Sequence, residues 1–392
     1  MANFTYFTPT KVVFGKETEL EVGKLIKEYG CKKVLLHYGS GSVKRTGLLD
    51  RVKTVLKEAN IDFVELGGVV PNPHLSLVYE GIELCKKNGV DFILALGGGS
   101  VIDSSKAIGY GVANGGDVWD FYDFKRKPTC CLPIGVILTI AASGSEMSDS
   151  SVITKEEGGL KRACNTNYAR PKFAIMNPQL TMTLPAYQTA SGCTDIIMHT
   201  LERYFVNGDR MHITDSIAEG LIRTVMVQAH ILAKEPQNYA ARAEIMWAGS
   251  LSHNGLTGCG NTANDFASHR LEHEIGGMFD VTHGAGLAAI WGSWARYVHK
   301  DCLPRFYQFA VNVMGVAPSD DKEAVALAGI AKMEEFFRSI KMPTSLKELG
   351  IKPTETQLKE LAHKCSVATN DALGSAKVLH EADCLAVYKM AL

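Results

Sequence analysis

The feature that most constrains this chain is a rhythm in its first half. Short, continuously apolar runs alternate with longer amphipathic ones. Lys33–Tyr38 (KVLLHY), Ile61–Leu66, Asp91–Leu96 (DFILAL) and Pro133–Thr139 (PIGVILT) have strand length. Leu48–Ala59, Leu75–Asn88 and Ser100–Tyr110 carry helical periodicity between them. Strands apolar on both faces, with helices between, imply a parallel sheet covered on both sides. After about residue 185 the rhythm stops. Ala190–Phe205, Thr214–Ala233, Tyr239–Leu251, Asp265–Met278 and Ala324–Ser339 are helical in pattern, with no strand-like runs between them. The expected fold is α/β plus all-α: a parallel-sheet domain over 1–182 and an all-helical domain over 183–392. Asn177–Pro185 (NPQLTMTLP) is the expected connector.

Bulk properties exclude several classes. The 392 residues suffice for two domains and a sizeable core. Lys and Arg total 41 against 42 Asp and Glu, and a net charge near zero argues against nucleic acid or an anionic membrane as partner. The ten cysteines form no C-x-x-C pair, and several sit in apolar stretches such as Ile82–Cys85. They read as reduced, buried thiols of a cytosolic protein, not as a disulfide framework or a thiolate zinc site. The first fifteen residues, MANFTYFTPTKVVFG, lack the basic and apolar regions of a secretion signal, and no apolar run reaches 18 residues. A cytoplasmic location is expected.

Three turns at strand ends suit a dinucleotide, which makes the first domain Rossmann-like in expectation. Gly97-Gly98-Gly99-Ser100 follows a buried strand and opens a helix, where free backbone N–H groups and the helix dipole favour an anion. Asp103 and Lys106 fall in that helix's first turns. It is neither G-x-G-x-x-G nor a P-loop, and a tight turn without ligand would look much the same. Gly39-Ser40-Gly41-Ser42 closes an earlier strand and is followed by Lys44 and Arg45. No carboxylate lies between Lys33 and Leu49, so the turn favours the 2′-phosphate of NADP(H) over NAD(H). The third turn, Thr139–Glu146 (TIAASGSE), offers Thr139 and Ser143 to a nicotinamide.

The second half holds five polar, metal-capable groups in two clusters. Asp195 and His199 are four apart on one helix face, as are His269 and His273 on another. His283 follows in DVTHGAG. A lone buried histidine is usually a satisfied core residue; five such groups among largely apolar neighbours point to a metal. Imidazoles with a carboxylate and no cysteine suit Fe(II) or Zn(II), which spacing alone does not separate. The residue after His269 is Arg270, so the glutamate base of an H-E-x-x-H peptidase is missing.

These stretches resemble the iron-dependent alcohol dehydrogenase family, and within it the butanol-dehydrogenase-like branch. The resemblance runs through PNPHLSLVYEGIELCKKNGVDFILALGGGSVIDSSKAIGYG (71–111), GDVWDFY (116–122), CTDIIMHTLERYF (193–205) and ASHRLEHEIGGMFDVTHGAGLAAIWGSWARYV (267–298). It implies that Asp195, His199, His269 and His283 hold the metal, Fe(II) with Zn(II) as the alternative. It implies that His273 is not a ligand but a proton carrier beside the substrate. Gly97, Gly98, Gly99, Ser100 and Asp103 would hold the pyrophosphate, Thr139 would lie near the nicotinamide and Lys161 near its ribose. Gly39, Ser40 and Ser42 would face the adenosine end, where this branch tends toward NADP. A homodimer through the N-terminal domain is implied as well. Two positions depart from the family pattern: Ser143 stands for the usual Thr, and Asn177 for the usual Asp before Pro178.

The expected activity is an alcohol dehydrogenase or aldehyde reductase for small primary alcohols and aldehydes such as butanol and butyraldehyde. Its metal would act as a Lewis acid, NAD(P)H would give hydride, and His273 would supply the proton. The alternatives on the same scaffold are a glycerol-dehydrogenase-like polyol dehydrogenase and a dehydroquinate-synthase-like lyase. A polyanionic lyase substrate would call for more Lys and Arg beside the metal motifs than Ile196, Ile197, Met198 and Ile275–Met278 provide.

Overall fold

A computed structural model describes residues 1–208 and 211–392. The chain divides into two compact units, Thr8–Thr183 and Leu184–Leu392, the second joined by Met1–Phe7. Ala2 N–H donates to the carbonyl of Gly260 at 3.0 Å, which ties the first residues to the helical unit.

The first unit contains eight strands among the described residues: β1 (Lys11–Phe14), β2 (Lys33–Gly39), β3 (Asp62–Val69), β4 (Phe92–Gly97), β5 (Ile134–Leu138), β6 (Ser150–Lys155), β7 (Leu160–Asn165) and β8 (Phe173–Met176). Six form one sheet in the order β1-β8-β5-β4-β2-β3, with every pairing parallel. The parallel-sheet expectation holds. β4 and β5 are buried along their whole length, which is why they read as unbroken apolar runs. β1 and β8 and the antiparallel hairpin β6–β7 lie outside the expected strands. β1 and β8 have four residues each, too few to show a period, and the residues of β1 are exposed or half-buried at the sheet edge.

β4 lies beside β2 on the side opposite β3, so the winding direction reverses between β2 and β4. A crevice opens at such a reversal, at the carboxyl ends of the strands. The parallel registers Tyr38↔Leu96 and Gly97↔Leu138 put three strand ends side by side there.

The second unit is built from helices. They include Ala186–Tyr204, His212–Lys234, Tyr239–His253, Ala267–Phe279, His283–Val298, Leu303–Asn312, Lys322–Ser339, Glu355–Ala368 and Glu381–Met390. Its core is aromatic: Phe205 stacks on Phe306 with ring centroids 4.2 Å apart and meets Trp294 and Phe309 edge-on. These rings bury large apolar areas and hold the His283–Val298 and Leu303–Asn312 helices against the end of Ala186–Tyr204. None of the described helices is long and apolar enough to cross a membrane. Of the ten unpaired cysteines, six are buried; Cys130 is exposed and Cys31, Cys131 and Cys259 are partly so, which departs from the expectation that all are buried.

Candidate metal centre and cofactor turns

The helical unit gathers its polar groups around one oxygen. Asp195 and His199 lie one turn apart on Ala186–Tyr204. His269 comes from Ala267–Phe279, and His283 is the first residue of the next helix rather than part of a loop. Asp195 Oδ1 has His199 Nδ1 at 3.2 Å, His269 Nε2 at 3.5 Å and His283 Nε2 at 3.7 Å. Asp195, His199 and His269 present donor atoms close enough to share one ion.

Local sequence explains the convergence. Asp265 anchors the chain just ahead of the helix of His269, its Oδ1 accepting from Ala267 N–H at 3.0 Å while its Oδ2 accepts from Ser375 and Ala376 N–H. A Cβ on Gly284 would run into the backbone carbonyl of Ser191, and one on Gly286 would sit 2.9 Å from Glu272 Cγ. The HGAG sequence therefore lets the His283 helix approach both neighbours closely enough to deliver His283.

The electrostatics ask for a cation. Asp195 Oδ1, His199 Nδ1 and His269 Nε2 are buried without a hydrogen-bond partner, a costly state that a bound metal ion would relieve. Burial works against the Asp195 carboxylate, but His199, His283 and His269 outweigh it and hold its pKa below the usual carboxylate range. Burial pushes His199 well below the ordinary histidine value. Burial also opposes the charged form of His269, yet Glu202 and Asp195 prevail and raise it to about 9.

Three groups here escaped the sequence reading. Glu202 bonds His269 Nδ1 and also accepts from the His269 backbone N–H at 2.9 Å; Glu272 bonds His283 Nδ1. Both carboxylates are fully buried. Each fixes its ring so that Nε2 faces Asp195, the arrangement that orients metal-binding histidines. A signal was available: Asp195, His199 and Glu202 follow an i, i+4, i+7 face, and Glu272 lies three residues after His269. The third is His253, whose ring centroid is 4.0 Å from that of His199. His273, with ring centroids 5.8 Å from His283 and 6.5 Å from His269, stands beside the cluster, and its donor atoms group with those of Glu272 and His283.

In the sheet unit the three expected turns meet at neighbouring strand ends. Gly97 ends β4, and the helix Gly99–Asn114 starts from Gly98 with no side-chain cap. A Cβ on Gly97 would lie 2.5 Å from Val101 Cγ2, one on Gly98 3.0 Å from Ile140 Cβ, and one on Gly99 would strike Ser143. The turn has no room for side chains and opens a helix without a side-chain cap, which fits a diphosphate. Thr139 N–H donates to the Gly97 carbonyl at 3.0 Å, so the Thr139 turn lies against the glycine turn. Gly39 ends β2 next door, with Ser42 opening a short helix, Ser42–Arg45. Lys44 Nζ lies 5.3 Å from the Tyr38 ring centre. Asp103 engages its protein surroundings: Oδ1 accepts from Ser145 Oγ at 2.5 Å and Oδ2 from Val152 N–H at 3.0 Å. Lys161 is buried on the β6–β7 hairpin opposite Thr154, in a separate sheet from the one whose strand ends carry the turns. Asn177 donates from Nδ2 to the buried Glu19 Oε2 at 2.8 Å and accepts from Gln179 N–H at 3.0 Å, a pairing that Asp could not make at neutral pH.

A parallel sheet with a glycine turn that fits a diphosphate, and a helical unit whose Asp–His₃ cluster could hold a metal ion, suit a metal-dependent dehydrogenase. The iron-containing alcohol dehydrogenase family matches residues 9–178, and its C-terminal region matches residues 189–392; the chain belongs to this family. It is 40% identical to NADH-dependent butanol dehydrogenase A of Clostridium acetobutylicum over 99% of both chains. It is 35% identical to the NADPH-dependent aldehyde reductase YqhD of Escherichia coli over 90% of both. The crystal structure of NADH-dependent butanol dehydrogenase A from Thermotoga maritima superposes with a TM-score of 0.96 at 37% identity, covering 100% of this chain and 99% of that one.

Proposed function

We propose that this NAD(P)-dependent alcohol dehydrogenase interconverts small primary alcohols and aldehydes, butanol and butyraldehyde among them, with Asp195, His199, His269 and His283 as the ligands of its metal. The observation that carries the reading is the convergence of three imidazole nitrogens on Asp195 Oδ1, with Asp195 Oδ1, His199 Nδ1 and His269 Nε2 buried without a hydrogen-bond partner. Relatives named for butanol and aldehyde turnover, at 35–40% identity over nearly the whole chain, support the substrate class. Fe(II) is the metal of choice on the family match, with Zn(II) as the alternative for the same donors.

When bound, the metal supplies Lewis-acid polarisation of the substrate C–O group. Glu202 and Glu272 hold the rings of His269 and His283 with Nε2 presented. His273 gives or takes the proton on a ring nitrogen, a task that suits an imidazole with one nitrogen to donate and one to accept. Gly97, Gly98, Gly99 and Ser100 seat the diphosphate, with Asp103 bracing the neighbouring turn. Thr139 and Ser143 flank the nicotinamide, and Lys161 serves its ribose. Gly39, Ser40 and Ser42 take the adenosine end. Lys44 and Arg45, with no carboxylate in that turn, favour NADPH, although relatives of both preferences exist. The reading includes a homodimer, on the family resemblance, and a cytoplasmic setting, on the ten unpaired cysteines.

The deciding experiment follows NADPH or NADH oxidation with butyraldehyde in protein loaded anaerobically with Fe(II) or Zn(II). The parent turns over, and His283→Ala loses both stoichiometric metal and turnover. Full activity in a metal-free His283→Ala protein overturns the ligand assignment; faster turnover with NADH overturns the NADPH preference.

A further inference from the structure

Lys106 is a fully buried cation on the helix that begins at the glycine turn. Its Nζ lies 2.8 Å from the Ser145 carbonyl, 2.7 Å from the Ser150 carbonyl and 3.0 Å from the Ser148 carbonyl, with Ser145 Oγ at 2.9 Å and Ser148 Oγ at 3.4 Å. Among the described residues its hydrogen-bond partners are thus carbonyls and hydroxyls, not a carboxylate. An ammonium has three donors, so three of these acceptors are met at once and none is left to water. The acceptors all come from one segment, 145–150, which runs on from the Thr139–Glu146 turn to the first residue of β6 and, ahead of that strand, forms no helix or strand but only a turn closed by Met147 N–H on the Gly144 carbonyl at 3.1 Å. One turn earlier on the same helix, Asp103 takes Ser145 Oγ and the Val152 N–H, and its carbonyl accepts from Ser151 Oγ at 2.8 Å. Gly99, at the head of that helix, abuts Ser143.

We propose that Lys106 is a positioning residue for cofactor binding, which pins residues 143–150 to the helix of the glycine turn so that the diphosphate cradle and the nicotinamide-side turn form one rigid body. This rests on reading Gly97–Ser100 as the diphosphate site. Burying an ammonium is costly, and the cost persists only where the groups it meets would otherwise be unsatisfied. Here it buries donors exactly where an irregular loop would be free to move. A loop already ordered binds its ligand without the entropy cost of ordering. Burial lowers the Lys106 pKa to about 8, opposed by Asp103, Asp149 and Glu146 and reinforced by Arg170, so the clamp loosens toward alkaline pH.

The test measures NADPH dissociation by fluorescence titration of the Fe(II)-loaded enzyme for the parent, Lys106→Met, Ser145→Ala and Gly99→Ala. Ser145→Ala breaks the Asp103–Ser145–Lys106 link without removing the buried charge, so it covers the case in which Lys106→Met does not fold. Expected is a rise in Kd of about tenfold for Lys106→Met and a smaller rise for Ser145→Ala, with metal content unchanged and faster amide exchange confined to 143–150. The parent's Kd also rises between pH 7 and 9.5, and this pH dependence is absent in Lys106→Met. Folded Lys106→Met and Ser145→Ala proteins that bind NADPH as the parent does, while Gly99→Ala binds weakly, overturn the clamp and leave the diphosphate reading standing. Parent-like binding by Gly99→Ala overturns the diphosphate reading itself.

Discussion

Glu202→Gln probes the least anticipated part of the metal centre. Glu202 uses both oxygens on one residue: Oε1 accepts from the His269 backbone N–H at 2.9 Å, and Oε2 pairs with His269 Nδ1. Glutamine has the same shape but only one acceptor oxygen. Whichever way the amide turns, its NH₂ faces a donor, or it forces the proton onto Nε2, the nitrogen that faces Asp195. Either outcome loses about one charge-assisted hydrogen bond in a fully buried place, roughly 1.5–3 kcal/mol. At about 1.4 kcal/mol per decade this is a 10- to 150-fold loss of metal affinity. That agrees with the roughly 10- to 100-fold expected for removing a carboxylate behind a metal-binding histidine. Anaerobic titration of metal-free protein with Fe(II) or Zn(II) against a competing chelator measures it, with circular dichroism confirming the fold. A folded Glu202→Gln protein with the parent's metal affinity refutes the role assigned to this carboxylate.

His273→Ala should lower kcat by roughly 10²- to 10⁴-fold while stoichiometric metal stays bound; metal loss in that variant would place His273 among the ligands. Asn177→Asp should destabilise the sheet unit by about 2 kcal/mol at pH 7, because it sets a carboxylate against buried Glu19 where Nδ2 donates now. Thermal unfolding should show that deficit shrinking at pH 5, as the pair shares a proton; a pH-independent deficit contradicts the cause. His37 is buried between the Leu66 carbonyl and Ser104 Oγ, and burial lowers its pKa to about 4. Its unfolded value is near 6.5, so below that pH the unfolded chain binds the extra proton. The associated stability is intact above pH 6.5 and about 3 kcal/mol of it is lost as pH falls to 4. Urea unfolding at pH 7.5 and 4.5 should show that slope in the parent and its absence in His37→Gln.

The sequence by itself determined the sheet-then-helices plan. β4 and β5 are buried on both faces, and a strand in that position has to be continuously apolar, so the requirement is written in the residues themselves. It also placed four of the five metal-capable groups on two helix faces, because a helix repeats every 3.6 residues and His269–His273 or Asp195–His199 fall on one face whatever surrounds them, and it put His283 close behind in DVTHGAG. What it could not place was anything settled by meeting across the fold. β1 and β8 are four-residue strands defined by their partners, not by their own pattern. Glu202, Glu272 and His253 look like ordinary helix residues until packing brings them against the histidine rings. Lys106 looks like a solvated charge near a helix start, and only the tertiary structure shows it buried under the carbonyls of 145–150. Periodicity is local and survives in the sequence; hydrogen bonds between residues 40 or 70 positions apart exist only once the chain has folded. Asp195, His199 and His269 were legible as candidates for the first reason and His283 by its closeness to them in sequence, and their convergence on Asp195 Oδ1 was decided by the second, through glycines at 284 and 286 that let one helix come close.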